Sequence, residues 1–158
     1  MDAAAFQDDL ETFLTDMVWT FATHGGRSAA VVWPRGEATV TPALAAAHEQ
    51  DGGWEQHLAD AVAHRLGTLV DRGARAAYRT VRPGEASEET RVAADTFLLT
   101  LRGAVEARLA PLGPGWPAGV GRLRHRLRAG EVLYVPVGFS SALSVRTPAL
   151  VMELTLSP

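Results

Sequence analysis

Three side chains with metal-binding chemistry occur at helical spacing in the middle of the chain. His57, Asp60 and His64 lie three and four residues apart, so a helix would place them on one face. Two imidazoles and one carboxylate form a known ligand set for Fe(II). The apolar face of the same helix points elsewhere, so this stripe would face solvent unless another element covers it. We therefore interpret it as a solvated or partner-facing edge and keep a metal site as the alternative.

A second group of residues that could bind a ligand lies in the run Arg122–Arg128, where arginines alternate with leucine and histidine. A strand would put Arg124 and Arg126 on the same face, where guanidinium groups can bind a carboxylate or phosphate bidentately. The other interpretation is an edge strand that is charged against aggregation. His125 falls on the leucine face, which predicts a packed histidine.

Serines near the C-terminus are a third group, formed by Ser140, Ser141 and Ser144. A nucleophilic serine of the hydrolase type sits in a Gly-x-Ser-x-Gly turn beside a defined histidine and acid. No such turn surrounds these serines, so we predict no catalytic residue among them.

Length and composition set limits on the class of protein. The 158 residues fit one domain, 1–158, and the 47% apolar and 21% charged fractions are ordinary for a globular chain. A net charge of −3 gives no basic field for nucleic acid or a membrane surface. Without cysteine there is no disulfide and no thiolate ligand. No run reaches the ~18 apolar residues of a membrane span, and no signal peptide is visible, so we expect a cytoplasmic protein.

Residues 1–112 are predicted to be mainly helical. Apolar periodicity predicts helices over 3–22 and 54–70, and a further helix from a cap at Ser87 to about Ala110. The segment 74–82 is ambiguous, and we favour a helix that ends in a turn. Residues 28–41 form either a β-hairpin or a single strand followed by an irregular loop, and the sequence leaves both alternatives open. A short helix is expected to follow from Pro42.

Residues 119–158 are predicted to form β-structure. Short strands are expected over 122–128, 132–135, 141–145 and 149–156, and turn residues separate them. The last strand is mostly apolar, so it would promote aggregation if it were exposed, which favours burial or pairing.

Three residues in this C-terminal region form a recognisable pattern. Gly130, Pro136 and Gly138 match the spacing glycine, five residues, proline, one residue, glycine. This pattern resembles the second cupin motif and its relative in Jumonji C oxygenases, and the resemblance covers about 122–156. It implies a strand–turn–strand unit of a double-stranded β-helix barrel. It also implies a pocket at the barrel mouth lined by Tyr134, Phe139, Ser141 and Glu153.

One position departs from that family in a way that bears on function. Ser141 stands where the motif usually has a metal-ligating histidine, and the chain contains no His-x-His or His-x-Asp pair. A serine hydroxyl is a poor replacement for an imidazole in a facial triad. We therefore expect no cofactor and no activity as an Fe(II)/2-oxoglutarate oxygenase.

The sequence thus predicts an α+β fold in which helices pack on a small, mostly antiparallel sheet that resembles part of a cupin barrel. Closure needs roughly eight strands, and at most six are visible, so the sheet is expected to be open, covered by helices or completed in a homodimer. The leading hypothesis is a metal-free, non-catalytic binding or accessory protein for a partner protein or small ligand. The alternatives are a metal-independent isomerase, cyclase or lyase with a pocket near Ser141, and a metalloenzyme that uses His57, Asp60 and His64.

Overall fold

The computed structural model describes residues 2–49, 54–85 and 88–158, with the side chains of all of these except 54–56. These ranges form an α+β fold with three helices and nine strands. The helices are α1 Ala3–His24, α2 Glu37–Glu49 and α3 Trp54–Val70. The strands are β1 Ala30–Val32, β2 Ala74–Val81, β3 Thr90–Arg91, β4 Thr96–Arg102, β5 Ala104–Pro111, β6 Leu123–Arg128, β7 Val132–Val135, β8 Phe139–Ser144 and β9 Ala149–Leu156.

Helices α1 and α3 confirm the predictions made from apolar periodicity. Asp2 caps α1 by accepting a hydrogen bond of 3.1 Å from the backbone N–H of Ala4. The helix ends where Gly25 N–H donates to the carbonyl of Phe21. No helix among the described residues is long and apolar enough to cross a membrane.

The strands form two antiparallel sheets that face each other. The five-stranded sheet has the order β1-β7-β4-β9-β2, and the four-stranded sheet has the order β3-β8-β5-β6. From β2 onward the chain passes back and forth between the sheets, and only β5 and β6 are consecutive strands in one sheet. No strand pair joins the two sheets in the described ranges, so the barrel is open, as predicted.

Two apolar clusters hold these layers together. The first joins the three helices to the outer face of the five-stranded sheet, and the second fills the space between the two sheets. Side chains therefore alternate along β4 and β9 between the helix layer and the barrel interior. The largest fully buried residues of the first cluster are Phe13, Leu14, Met17, Leu44, Leu66, Phe97, Leu99, Tyr134 and Met152.

The last strand is protected by its position in the sheet. Strand β9 lies between β2 and β4 and pairs with both along most of its length. Both of its backbone edges therefore pair within the chain. The apolar last strand is not exposed, so it gives no reason to expect pairing in a homodimer.

The helix predicted from Ser87 to Ala110 is wrong. Ser87 lies outside the described residues, and the remainder contains β3, β4 and β5. Strand β4 has a run of buried residues because its two faces contact the helix layer and the barrel interior, and such strands lack the usual alternation. Gly103, at φ +75°, makes the tight turn between β4 and β5. Residues 1–112 thus supply five strands and are less helical than expected.

Of the two alternatives left open for residues 28–41, the hairpin does not form. Strand β1 is present, but its partner is β7, and the chain enters α2 at Glu37. The Pro34–Gly36 turn is fixed by α1, because Arg35 donates hydrogen bonds to the carboxylate of Asp16. Helix α2 begins five residues before the predicted start at Pro42, which lies inside it.

The segment 74–82 forms strand β2, so the helix that we favoured there is wrong. Its side chains alternate between the two faces of the sheet over Ala74–Val81. Pairing with β9 along all eight residues outweighs the helix propensity of its alanines and arginines.

Candidate functional site

A cavity of about 430 Å³ lies between the two sheets. Its walls come from both sheets and from the segment that joins β3 to β4. The lining residues are Arg75, Arg79, Thr90, Arg91, Val92, Ala93, Ala94, Thr96, Leu98, Leu133, Val135, Ser141, Leu143, Glu153 and Thr155. One wall is therefore rich in charges and hydroxyls, while the aliphatic side chains form an apolar floor.

The strand register explains why the polar residues share one face of the sheet, with Arg75 and Arg79 exposed at the open side of the cavity. Arg75 is opposite Thr155, and Thr155 is opposite Thr96 on the next strand. Paired residues in antiparallel strands lie on the same face. Arg79 lies four residues after Arg75 on β2 and therefore also faces inward. At about 3.4 Å per residue, roughly 14 Å separates the two arginine Cα atoms.

Arg79 and Glu153 form an ion pair within this lining. Arg79 Nη1 donates to Glu153 Oε1 at 3.2 Å, and both side chains are partly exposed. Arg75 has no hydrogen bond or ion pair with any described residue. The cavity lining therefore holds one neutralised cation, Arg79, while Arg75 is free to meet a ligand.

Two hydroxyls lie across from each other on the four-stranded sheet. Thr90 of β3 pairs with Ser141 of β8, so both side chains are on the interior face. Arg91 pairs with Ser140, which belongs to the opposite face. Arg91 contributes to the rim of the cavity, and we assign the positive charge of the interior to Arg75 and Arg79.

The residues around Ser141 do not fit a facial metal triad. Its strand neighbours are Thr90 and Leu109, and the described residues that line the cavity include one carboxylate and no histidine. Fe(II) in such a site requires two imidazoles and a carboxylate. The donor set of this cavity is hydroxyl and guanidinium, which suits an anion and not a metal cation.

Tyr134, predicted as a pocket residue, faces the helix layer and does not line the cavity. Its hydroxyl donates to Asp95 Oδ1 at 2.9 Å and accepts from Gly26 N–H at 3.1 Å. Burial raises the pKa of the Tyr134 phenol well above its usual range, and the Asp95 carboxylate adds to the rise. The phenol is therefore a structural anchor between β7, α1 and the segment before β4.

Phe139, also predicted at the pocket, lies inside the barrel but not in the cavity. It is 1% exposed and belongs to the apolar cluster between the sheets. The Trp116 ring meets it edge-on, with 4.7 Å between centroids and an interplanar angle of 82°. This contact fixes the connector between β5 and β6 on the barrel.

The remaining predicted residues lie outside the cavity. Arg124 and Arg126 are on the outer face of the four-stranded sheet and line a separate depression. His57, Asp60 and His64 are exposed on α3. The described residues contain no group of three or more histidines and carboxylates that could hold a metal ion, so the alternative metal site gains no support.

Of the residues predicted for the pocket, Ser141 and Glu153 line the cavity, and Arg75 and Arg79 line it without having been predicted. Both arginines lie in the segment that we predicted as helical. Their spacing of four residues, with Ala77 between them, also matches one face of a strand. Two features of the sequence could have indicated this strand. Turn-forming residues flank the segment, with Gly73 before it and Pro83-Gly84 after it, and a length of eight residues is more typical of a strand than of a helix.

No protein-family model and no curated protein sequence matches the chain. Among solved structures, it is similar to YcfD, a ribosomal oxygenase from Escherichia coli, in complex with cobalt and succinic acid. That match has 16% identity and a TM-score of 0.50, and covers 62% of this chain and 28% of YcfD. RmlC from Streptococcus suis, with dTDP-D-xylose, matches at 15% identity and a TM-score of 0.48, covering 54% of this chain and 44% of RmlC. Hydroquinone 1,2-dioxygenase from Sphingomonas sp. TTNP3 matches at 21% identity and a TM-score of 0.44, covering 53% and 59%.

The similarity to YcfD confirms the fold that the Gly130–Gly138 motif implied. The chain has a cupin-like, Jumonji C-like fold. It spans less than a third of YcfD and less than half of RmlC. At this level of identity, the likeness extends to the arrangement of strands and not to the chemistry of the site.

Proposed function

We propose that this chain is a cupin-like binding protein that holds a small anionic molecule in the cavity between its sheets, without a facial-triad metal. The observation that carries the proposal is Arg75, whose side chain lines the cavity and has no partner among the described residues. A guanidinium that is not paired within the protein is ready to bind a carboxylate or phosphate bidentately.

The other lining residues support an anion with a small apolar body. Ser141 and Thr155 supply hydroxyl donors to oxygen atoms of a ligand. The hydroxyls of Thr90 and Thr96 donate to the carbonyls of Glu88 and Ala94, so these two side chains can only accept. Leu98 and Leu143 belong to the apolar floor. The volume of about 430 Å³ is within the range of small-molecule sites.

Glu153 sets the charge balance of the cavity. It neutralises Arg79, so the positive charge of the lining comes from Arg75 and, at the rim, from Arg91.

A second candidate is a metal-independent isomerase, cyclase or lyase. Glu153 and Ser141 both line the cavity, and a carboxylate with a nearby hydroxyl can move a proton. Such an enzyme would convert its ligand, whereas a binding protein would release it unchanged. Mass spectrometry of the ligand after incubation with the protein separates these two roles.

The binding proposal is tested by thermal unfolding and isothermal titration calorimetry. The probes are succinate, which YcfD contains in its complex, inorganic phosphate, and succinamide as a neutral control. We expect the anions to raise the unfolding temperature of the wild-type protein and succinamide to have no effect.

The matched variants are Arg75→Ala and Arg82→Ala, because Arg82 is exposed, follows the same strand and does not line the cavity. Anion binding should fall by about tenfold or more in Arg75→Ala, equivalent to ~1.4 kcal/mol, and should persist in Arg82→Ala. Equal binding of succinamide and succinate, or equal binding by both variants, would contradict an anion site in the cavity.

An accessory role, with a partner protein that receives or supplies the ligand, belongs to the same proposal. The low net charge and the absence of cysteine are compatible with a cytoplasmic location. A homodimer would be detected by sedimentation of the purified protein, and the edge strand β1, with exposed Val31, is the surface it would use.

A further inference from the structure

The outer face of the four-stranded sheet carries a concentration of arginines, which we call the arginine face. On β6 these arginines alternate with Leu123, His125 and Leu127, which point to the barrel side of the sheet. The arginine face consists of Arg108, Arg122, Arg124, Arg126, Arg128 and Arg146. These are six of the fifteen basic residues of a chain whose net charge is −3.

Two arginines of this face stand directly opposite each other. Arg108 on β5 is the register partner of Arg124 on β6. Like charges at directly opposed positions destabilise a sheet. A sequence under selection for stability alone would place a carboxylate at one of these positions, so the pair indicates a use for the charge.

The nearest carboxylate relieves only part of this charge. Glu106 is the register partner of Arg126, but its Oε1 accepts hydrogen bonds from Arg124, with Nη2 at 2.8 Å and Nε at 3.0 Å. Arg126 is therefore left without a partner among the described residues. The guanidinium groups of Arg108, Arg122, Arg128 and Arg146 likewise have none.

The arginines frame two adjacent depressions that share Arg124. One, of about 210 Å³, is lined by Arg126 and Arg146 around Glu106. The other, of about 230 Å³, is lined by Arg108 and Arg122 and also by Glu89, Leu109 and Leu123. Each is large enough for an acidic side chain and too small for a drug-sized molecule, so the pair suits side chains that enter from an extended segment.

Strand β6 also has an unpaired backbone edge within the described residues. In the described structure β6 is the last strand of its sheet, and its strand partner is β5. An edge strand presents unpaired N–H and C=O groups that can pair with another chain. Its arginines at every second residue are spaced by about 7 Å, the repeat of side chains on one face of a neighbouring strand.

We propose that an acidic, extended segment of a partner protein adds to the edge of β6 as a further strand, with carboxylates at alternate positions that meet the arginine face. Main-chain hydrogen bonds supply affinity, and the alternate carboxylates set the register. The net negative charge of the whole chain opposes the approach of a long nucleic acid, whereas a short acidic segment contacts only this face. The surface lies on the opposite side of the sheet from the cavity, so this proposal stands without the ligand proposal.

The test uses fluorescence anisotropy with a labelled nine-residue peptide in which glutamate alternates with threonine. Two peptides of matched charge accompany it, one with its glutamates in a single block and one with a proline in place of the central threonine. Proline cannot donate to a strand ladder. We expect the alternating peptide to bind at 50 mM salt, and the block and proline peptides to bind at least about tenfold more weakly.

The protein variants are Arg126→Ala and Arg82→Ala, both at exposed positions whose side chains have no hydrogen bond or ion pair with a described residue. Binding of the alternating peptide should fall by about tenfold in Arg126→Ala and stay unchanged in Arg82→Ala. Absence of peptide binding, equal affinity of both variants, or equal binding of the proline peptide would overturn the proposal. Tighter binding of single-stranded nucleic acid that Arg126→Ala weakens would assign the arginine face to a different partner and also overturn it.

Discussion

The hydroxyl of Tyr134 donates a hydrogen bond of 2.9 Å to Oδ1 of Asp95. Tyr134 is fully buried, and the same Asp95 oxygen accepts from the backbone N–H of Val137 at 3.1 Å. Gly26 N–H donates to the tyrosine hydroxyl from the end of α1. One side chain thus connects the helix layer, β7 and the segment that enters β4.

Replacement of Tyr134 by phenylalanine should destabilise the protein by about 1–3 kcal/mol, because Asp95 and Gly26 lose a partner in a buried place. Urea unfolding measures the change. The matched control is Tyr78→Phe, whose hydroxyl donates to the carbonyl of Leu44 in a less buried setting. Similar losses of unfolding free energy in both variants would show that the hydrogen bonds of Tyr134 contribute no more to stability than the single bond of Tyr78.

Glu153→Gln should increase the affinity of the cavity for succinate or phosphate. The change keeps the shape of the side chain and removes the charge that neutralises Arg79, so a second guanidinium becomes available to the ligand. We expect roughly a tenfold gain in affinity by calorimetry.

The control for this charge change is Glu106→Gln, which removes one negative charge from the arginine face and not from the cavity. It should leave succinate affinity unchanged and strengthen binding of the alternating acidic peptide. A gain in succinate affinity in both variants would mean that net charge, and not the cavity, determines anion binding.

The sequence predicted the second half of the barrel more accurately than the first. The Gly130–Gly138 motif and its flanking turns placed β7 and β9 at their observed bounds. Here each turn has its own glycine or proline, and the signal is local. Strand β4 gave no such signal, since it is buried on both faces and its apolar run is equally typical of a helix.

The lining of the cavity could likewise be predicted only in part, where it belongs to the motif and the strand after it. Ser141 and Glu153 follow from the motif and its next strand, and both line the cavity. Tyr134 was assigned to the wrong face because the residues before it, Val132 and Leu133, are both buried, so local burial does not tell which side faces the barrel. Arg75 and Arg79 lie on β2, which precedes β9 by about 70 residues in the sequence. Only the pairing of β2 with β9 brings these arginines to the cavity.

Asp16 should make the stability of the protein depend on pH in the acid range. The hydrogen bonds from Arg35 lower the pKa of the Asp16 carboxyl below its ordinary value. Because the folded pKa is below the unfolded one, near 3.9, the stabilisation is present above about pH 4 and is lost as the pH falls through the folded-state pKa.

Asp16→Asn removes this titration. The free energy of unfolding of the wild-type protein should exceed that of the variant at pH 6, and the two should converge as the pH falls through the lowered folded-state pKa of Asp16. Urea unfolding at a series of pH values measures the difference. A constant difference across this range would show that the Asp16–Arg35 contact acts through packing and not through its charge.

Gly130→Ala should destabilise the turn between β6 and β7. Gly130 has φ +96°, a conformation that side chains with a Cβ disfavour by roughly 1–2 kcal/mol. A Cβ there would also overlap the carboxylate of Glu37 at the start of α2. We therefore expect a loss of at least about 1 kcal/mol in the free energy of unfolding, measured with urea.

The control for this turn is Gly121→Ala, since a Cβ at Gly121 meets no atom within 4 Å. Its φ is not among the positive values that favour glycine, so alanine fits the backbone there without strain. We expect a change within about 0.5 kcal/mol in the same urea experiment. Equal changes in the two variants would mean that Gly130, although it belongs to the motif, is not required by its backbone conformation.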